Sequence, residues 1–331
     1  MQSTTQAARS GRRSDADRQV RRVVVPLDGT ENAERVLPYV QFLARWYRAD
    51  VTLLHVLFRP QRPQSGPDSI IYPDSLHDRA HSLATEYLAE VARKLMETGL
   101  NPRTVVVSGD PVRVIAAHAT HDAFELTAMG TNARSLLSRM WRESVFEKLL
   151  ATSKVPLFVV NARQNRARYE VPSEPRGLLV VLDGTGVARR SIPYAIGLAR
   201  AGSLRVTLLH VVKSRRSPPG AGNASAAQQV QESVARRLEA AATQFKAAGL
   251  SVTIEIRFGP PADTIVQVQN ELGGYIAVIA SRVRRGWRRT VFGSVLDRAI
   301  RSSPDPLLVV PVRGWRQRDT SAADNVAPWP A

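Results

Sequence analysis

VVVPLDGT at residues 23–30 returns as LLVVLDGT at residues 178–185, 155 positions farther along the chain. VTLLHV at 51–56 returns unchanged at 206–211, at the same offset. Two matching segments in the same order and at the same spacing indicate two copies of one structural unit. The sequence therefore predicts a tandem duplication rather than two unrelated domains.

The later parts of the two copies match at an offset of 150 positions, where PLFVV at 156–160 corresponds to PLLVV at 306–310. The change in length falls in the Pro- and Gly-rich segment after VTLLHV, and exposed loops tolerate such changes. The predicted organisation has five parts: a disordered basic arm at 1–19, a first domain at 20–161, a linker at 162–175, a second domain at 176–313 and a polar tail at 314–331.

Each copy alternates short apolar segments with amphipathic ones. Val23–Leu27 is apolar throughout, which is typical of a parallel strand buried on both faces. Residues 31–48 carry apolar side chains at helical spacing, and Pro38 predicts a kink or a late start in this helix. The other elements predicted for the first copy are strands at 51–56, 104–109, 124–130 and 156–160 and helices at 76–98 (stopped by Gly99), 111–122 and 144–152. This alternation predicts a parallel sheet with helices on both faces.

Composition limits the class of protein. The 331 residues include no cysteine, which excludes disulfides, thiolate metal sites and a cysteine nucleophile and suits a reducing compartment. No apolar run reaches the roughly 20 residues that a membrane-spanning helix needs, and the basic N-terminal segment lacks the apolar core of a secretory signal. We therefore expect a cytoplasmic protein that does not bind a membrane.

The net charge of +17 has two interpretations. An excess of arginine is typical of proteins with an anionic partner, such as a nucleotide or a nucleic acid. The alternative is a codon bias towards arginine that leaves scattered, solvated charges. The charge therefore limits what the protein binds without defining a function.

Several short motifs occur in the same order in both copies. They are LDGT, VTLLHV, the turns SGDP (108–111) and FGPP (258–261) and a helix start written ES (143–144) or GS (293–294), and the first copy adds the segment MGTNAR (129–134). In this order and spacing they resemble the universal stress protein family. The resemblance covers about residues 20–161 and 176–313. It implies two Rossmann-like (adenine nucleotide alpha hydrolase-like) domains, each a five-stranded parallel sheet of strand order 3-2-1-4-5.

The resemblance also implies that the two domains pair through their last strands. PLFVV and PLLVV are uncharged strands predicted at sheet edges, where unpaired backbone groups invite strand addition. Phe158 and Leu308 align between the copies. Antiparallel pairing around these two residues is expected to join the sheets within one chain.

Universal stress proteins that bind ATP carry a glycine motif after the fourth strand: Gly, two residues, Gly, nine residues, then Gly and Ser or Thr. The aligned residues are Gly130, Ala133, Glu143 and Ser144 in the first copy and Ala280, Val283, Gly293 and Ser294 in the second. We expect a Cβ at these positions to strain a backbone with positive φ by about 1–2 kcal/mol. Glu143 also places a negative charge where phosphates would lie, so the first copy is poorly suited to ATP.

Other candidate ligands of a nucleotide follow the first two strands of each copy. Asp28 and Asp183 could accept hydrogen bonds from a ribose hydroxyl or an adenine amino group, or could instead shape the Asp-Gly turn. Val56 and Val211 match a family position that lines the adenine pocket, or are ordinary buried strand residues. Both interpretations stay open for each pair.

Arginines crowd the loop of the second copy that would hold phosphates. Arg282, Arg284 and three neighbours could bind phosphate through their guanidinium groups and replace the missing glycine contacts. The alternative is a basic loop that faces solvent. Magnesium is expected only as a companion of ATP.

No residue pattern supports catalysis. His55 and His210 are interpreted as buried core residues, and His118 with His121 lacks a third ligand at metal-like spacing. We therefore expect a non-enzymatic stress-response protein with weak or altered adenine-nucleotide binding, more in the second copy, although the fold does not exclude slow ATP hydrolysis. The alternative is an interaction module with degenerate nucleotide sites that binds nucleic acid or an acidic protein through arginines.

Overall fold

The computed structural model describes residues 20–58, 74–119, 125–131, 145–162, 174–213, 224–282 and 293–312. The first half contains β1 (Arg22–Pro26), α1 (Glu31–Glu34), α2 (Leu37–Tyr47), β2 (Asp50–Phe58), α3 (Asp74–Met96), β3 (Arg103–Gly109), α4 (Pro111–His118), β4 (Glu125–Thr131), α5 (Val145–Thr152) and β5 (Leu157–Asn161).

The second half repeats this series. It contains β6 (Gly177–Val181), α6 (Gly186–Arg189), α7 (Ile192–Ala201), β7 (Arg205–Val212), α8 (Ala224–Ala247), β8 (Val252–Phe258), α9 (Pro261–Leu272), β9 (Tyr275–Arg282), α10 (Ser294–Ser302) and β10 (Leu307–Val312).

All ten strands form one sheet in the order β3-β2-β1-β4-β5-β10-β9-β6-β7-β8. Each half therefore has the order 3-2-1-4-5, which confirms the predicted fold. Every neighbouring pair is parallel except β5 and β10, which are antiparallel. The two halves consequently point in opposite directions along one continuous sheet.

The junction between the halves has the predicted register. Leu308 lies opposite Phe158, and both side chains are buried. On either side, Val159 pairs with Leu307 and Leu157 with Val309. Each half thus covers the edge strand of the other, which would otherwise expose unpaired backbone groups.

Proline sets the start of the second helix. α1 ends at Glu34 and α2 begins at Leu37, with Pro38 in the first turn, where a missing N–H costs no hydrogen bond. The late start predicted from Pro38 is confirmed. Thr30 caps α1, because its hydroxyl accepts a hydrogen bond from the N–H of Ala33 at 3.3 Å.

The helix predicted over residues 111–122 is shorter in the structure. α4 ends at His118, because Ala119 leaves the helical region with φ −91° and ψ 82°. The imidazole Nδ1 of His118 lies 2.9 Å from the Val114 carbonyl of its own helix. Residues 120–124, including His121, lie outside the described part of the chain.

The helices cover the sheet in two layers that both continue across the junction. One core cluster includes residues of α1, α2, α3, α6, α7 and α8, and the other includes residues of α4, α5, α9 and α10. The ring of Tyr39 in α2 lies 6.1 Å from that of Phe158 at the junction. A Cβ on Gly202, at the end of α7, would lie 2.9 Å from the Trp46 ring, so the two halves also meet through their helices.

Among the described residues, no helix combines the length and apolarity needed to span a bilayer.

A charge at the junction is expected to destabilise the whole chain. Val309→Glu would place a carboxylate at a fully buried position between two strands, and an unpaired buried charge costs several kcal/mol. We predict a loss of about 3–5 kcal/mol in the free energy of unfolding, measured by urea denaturation.

The control is Thr104→Glu on β3, an exposed position at the outer edge of the same sheet. It is expected to change stability by less than about 0.5 kcal/mol. Equal stability of both variants would contradict the importance of the β5–β10 pairing.

Candidate functional site

Ligands of open parallel sheets bind at the carboxyl ends of the strands, where the strand order reverses. The first half has this point at β1, between β2 and β4, and the second has it at β6, between β7 and β9. Asp28 and Asp183 lie two residues after the ends of these strands. Because β5 and β10 are antiparallel, the strands of the two halves run in opposite directions. The carboxyl ends of β1 and β6, and with them the two reversal points, therefore lie on opposite sides of the sheet along the strand direction.

The turn after each of these strands has the same geometry in both halves. Oδ1 of Asp28 accepts hydrogen bonds from the backbone N–H of Thr30 at 3.0 Å and from its hydroxyl at 2.6 Å. Oδ1 of Asp183 accepts the same pair from Thr185 at 3.0 and 2.5 Å. The intervening glycines need the left-handed region, with φ near 80°. Both aspartates therefore shape their turns, and contact with a ribose or adenine stays a prediction.

In the first half, a tyrosine from α3 lies over this turn. The Tyr87 hydroxyl donates a hydrogen bond to Oε1 of Glu34 at 3.0 Å. Burial, followed by the negative charges of Glu34 and Asp28, raises the pKa of Tyr87 above its ordinary range, although a hydrogen bond with the Gly29 backbone opposes this. Tyr87 and Glu34 thus place a neutral hydroxyl and a carboxylate beside this turn, and the carboxylate disfavours an anionic ligand.

In the second half, arginines replace both of these residues. Arg237 aligns with Tyr87, and Arg189 aligns with Glu34. Nη1 of Arg237 lies 3.4 Å from the position that a Cβ on Gly184 would occupy, so the guanidinium group lies over the turn. Arg237 forms no ion pair with any carboxylate of the described ranges. The same turn therefore has a basic surrounding in this half.

This exchange of charge was missed by the motif-based interpretation of the sequence. Glu34 and Arg189 are separated by 155 positions, and Tyr87 and Arg237 by 150, so the alignment of the copies contains the signal. It was missed because α3 and α8 hold no motif residue. Only the packing of these helices shows that they reach the turns.

A histidine from the second strand adjoins each turn. Nδ1 of His210 lies 2.6 Å from the Leu182 carbonyl, which can only accept, so this nitrogen carries the hydrogen. Burial lowers the pKa of His210 below 6.5, and Arg237 lowers it further, against the Leu182 carbonyl and Asp183. Burial likewise lowers the pKa of His55, against the charge of Asp28 and the Leu27 carbonyl. Both rings are half-buried beside the turns rather than buried in the core as predicted, and His55 contacts the Tyr87 ring edge-on at 6.1 Å.

The assumption that a motif glycine needs positive φ was wrong at Gly130 and Gly293; positions 133, 143 and 283 lie outside the described residues. Gly130 is not in the left-handed region, and Gly293 has φ −58°. Gly130 is needed for packing instead, because a Cβ there would lie 2.1 Å from the Asn32 carbonyl oxygen in α1. The contact is with the protein's own backbone, so it provides no evidence for a phosphate.

The glycine at the start of α10 differs in this respect. A Cβ on Gly293 would meet no atom of the described residues within 4 Å, and its φ is one that any residue adopts. Ser294 is the first residue of α10 and is exposed. The N–H groups of a first helical turn have no partner within the helix, so they favour an anion. An open glycine before this turn leaves room for one.

The remaining predicted residues are placed as follows. Val56 lies in β2 and Val211 in β7. Both are half-buried and pack against the core cluster that includes α4 and α9. Contact of either residue with adenine stays a prediction. Arg282 is the last residue of β9. Its side chain lies outside the described residues, as do Ala133, Glu143, Ser144, Val283 and Arg284. The described ranges contain no group of three side chains that could hold a metal ion.

Comparison with known proteins agrees with this architecture. The sequence model of the Universal stress protein family matches residues 19–161 and 176–311, which is most of the chain. The chain belongs to the universal stress protein family. Both copies are matched, so it is a tandem member of that family.

Individual relatives match one half or both. Universal stress protein YxiE of Bacillus subtilis (strain 168) is 24% identical over 144 residues, which cover 42% of this chain and 97% of that protein. The crystal structure of a universal stress protein from Archaeoglobus fulgidus DSM 4304 has 24% identity and a TM-score of 0.62, over 88% of this chain and 98% of that one. A universal stress protein solved in complex with cAMP has 19% identity and a TM-score of 0.32, over 42% of this chain and 98% of its own. The Archaeoglobus structure supports the fold, and the low score of the cAMP complex carries no argument about a ligand here.

The lowered pKa of His210 predicts a pH-dependent stability. The folded protein holds a proton at His210 less readily than the unfolded chain, so the free energy of unfolding falls as the pH drops below 6.5. His210→Gln is expected to lose less stability between pH 7.5 and pH 5.5 than the native chain. Urea denaturation at both pH values measures this difference.

His81→Gln is the control, because His81 is exposed on α3. It is expected to respond to pH as the native chain does. A His210→Gln variant that lost as much stability as the native chain would show that burial does not disfavour the charged ring.

Proposed function

We propose that this protein is a non-enzymatic stress-response protein that binds an adenine nucleotide, with weak or altered affinity, in its second half. The binding region lies between the Asp183 turn, the end of β7 at Val211 and the start of α10 at Gly293 and Ser294. One observation carries the proposal. Beside otherwise identical turns, the first half places Tyr87 hydrogen-bonded to Glu34, whereas the second half places the guanidinium group of Arg237.

The charge difference favours a phosphorylated ligand in one half only. In the first half the carboxylates of Asp28 and Glu34 both act on the Tyr87 hydroxyl, and a phosphate brought here would be repelled. In the second half a guanidinium group lies over the turn, and arginine binds phosphate with paired, charge-assisted hydrogen bonds. The electrostatic preference therefore points to the second half.

The start of α10 fits the phosphates of ATP. The space around Gly293 is open towards the described residues, and the first turn of a nine-residue helix presents N–H groups and a positive dipole end. Asp183 would face the ribose, and Val211 the base. Arg282 and Arg284 would add positive charge near the phosphates, and Mg²⁺ would enter with the nucleotide.

We propose that the two domains extend over residues 20–161 and 176–313, with the basic arm, linker and tail outside them. The lack of cysteine suits a role in the cytoplasm. The net charge of +17 favours a second candidate, an interaction module that binds nucleic acid or an acidic protein.

Calorimetric titration with ATP tests the site. The native chain is expected to bind one ATP, and Asp183→Ala and Gly293→Glu are each expected to weaken binding at least about tenfold, since each affects a charged or hydrogen-bonded contact. Gly293→Glu introduces the residue that the first copy carries at this position, and the open space around Gly293 accommodates it.

Asp28→Ala is the matched control, because it removes the same two turn hydrogen bonds from the first half. ATP affinity is expected to be unchanged in this variant. No ATP binding by the native chain, or a loss of binding in Asp28→Ala alone, would refute a site in the second half.

Salt separates the two candidate functions. Binding to a nucleic-acid backbone weakens steeply and log-linearly with salt, because counterions are released. A specific pocket is expected to keep its preference for ATP over GTP at moderate salt. Fluorescence titrations with labelled ATP, GTP and single-stranded DNA between 50 and 200 mM salt, roughly the range over which phosphate contacts lose most affinity, measure both effects. Tight DNA binding without any preference for ATP would favour the interaction module.

A further inference from the structure

Two candidate anion-binding regions lie on opposite faces of the sheet, one at Arg237 and one at the start of α10. Arg237 belongs to α8, which packs on the same face as α6 and α7. Gly293 precedes α10, which packs on the other face with α9. β6 lies between β7 and β9, so a ligand in the crevice at its end can touch both regions. One phosphate chain at α10 would therefore leave Arg237 without a phosphate.

Arg237 is half-buried, and its position can be compared with the aligned position in the first half. In the first half the aligned side chains, Tyr87 and Glu34, touch each other through a 3.0 Å hydrogen bond. The same two positions carry Arg237 and Arg189 in the second half. The Arg237 guanidinium group has no carboxylate partner among the described residues, so an anion at this position would gain a charge-assisted contact. His210 adds no positive charge here, because burial lowers its pKa and keeps its ring neutral near pH 7.

The neighbouring groups indicate which part of a nucleotide meets Arg237. An acidic side chain after the strand is suited to ribose hydroxyls, and a nearby arginine is suited to a phosphate on the ribose. The first half has only the acidic side chain at its turn, and the second half has Asp183 together with Arg237. Asp183 also uses one oxygen to hold Thr185, which fixes the turn.

We propose that the second half selects adenine nucleotides whose ribose carries a phosphate of its own, at the 2′ or 3′ position, in addition to the phosphate at the 5′ position. Arg237 holds this extra phosphate, while the start of α10 receives the 5′ phosphates. The inference rests on the proposed function and specifies the ligand class of the same site.

Calorimetric competition among three small probes tests this assignment. The probes are adenosine 5′-monophosphate, adenosine 2′,5′-bisphosphate and adenosine 3′,5′-bisphosphate, titrated into the full chain alongside ATP. At least one bisphosphate is expected to bind roughly 10- to 100-fold tighter than the monophosphate, the range of a charged hydrogen-bonded contact. The two bisphosphates distinguish the 2′ from the 3′ position.

Arg237→Tyr, which restores the residue of the first copy, is expected to reduce this preference to less than about threefold. Arg237→Gln keeps a polar side chain without the charge and serves as a second variant if the tyrosine impairs folding. Arg236→Glu is the matched control, because Arg236 is the exposed neighbour on α8 and the first copy carries Glu86 there. It is expected to keep the preference.

The outcomes separate the two hypotheses. ATP binding with no preference for either bisphosphate would overturn the ribose-phosphate assignment and leave the proposed function intact. A preference that persists in both Arg237 variants would also overturn it, because another group would then hold the phosphate. If neither ATP nor any probe bound, the proposed function would be wrong and this inference with it.

Discussion

The antiparallel pairing of β5 with β10 determines how the rest of the molecule is arranged. Three residue pairs centred on Phe158 and Leu308 close two sheet edges and turn two parallel sheets into one. Both helical layers continue across this junction. Because the pairing is antiparallel, the carboxyl ends of the two sets of strands lie on opposite sides of the sheet along the strand direction. Each potential ligand site is therefore built from one half of the chain, and each could diverge without changing the other.

The two halves differ in the side chains around the Asp-Gly-Thr turns after β1 and β6, although the turns themselves have the same geometry. The Asp-Gly-Thr turn keeps its hydrogen bonds in both, with Asp28 and Asp183 in the same role. The side chains that lie over it changed from Tyr87 to Arg237. The positions of Glu34 and Tyr87 both carry arginine in the second half, whereas the geometry of the turn is the same in both halves.

The sequence was sufficient for the fold and for much of its detail. Repetition, apolar strands and Pro38 predicted the element order, and the alignment of Phe158 with Leu308 predicted the register of the junction. Local patterns could not predict that Tyr87 reaches a turn 58 positions earlier at Gly29, since that contact depends on how α3 packs. The reason for Gly130 was also hidden, because its close neighbour is the backbone of α1 rather than a ligand.

A crystal structure of the full chain grown with ATP tests the central claim most directly, because it shows which edge of the sheet holds a ligand. The account predicts one nucleotide per chain, at the carboxyl end of β6, with its phosphates at the start of α10 and Arg237 within hydrogen-bond distance of the ligand or its ribose. A nucleotide at the carboxyl end of β1, beside Glu34 and Tyr87, would contradict it.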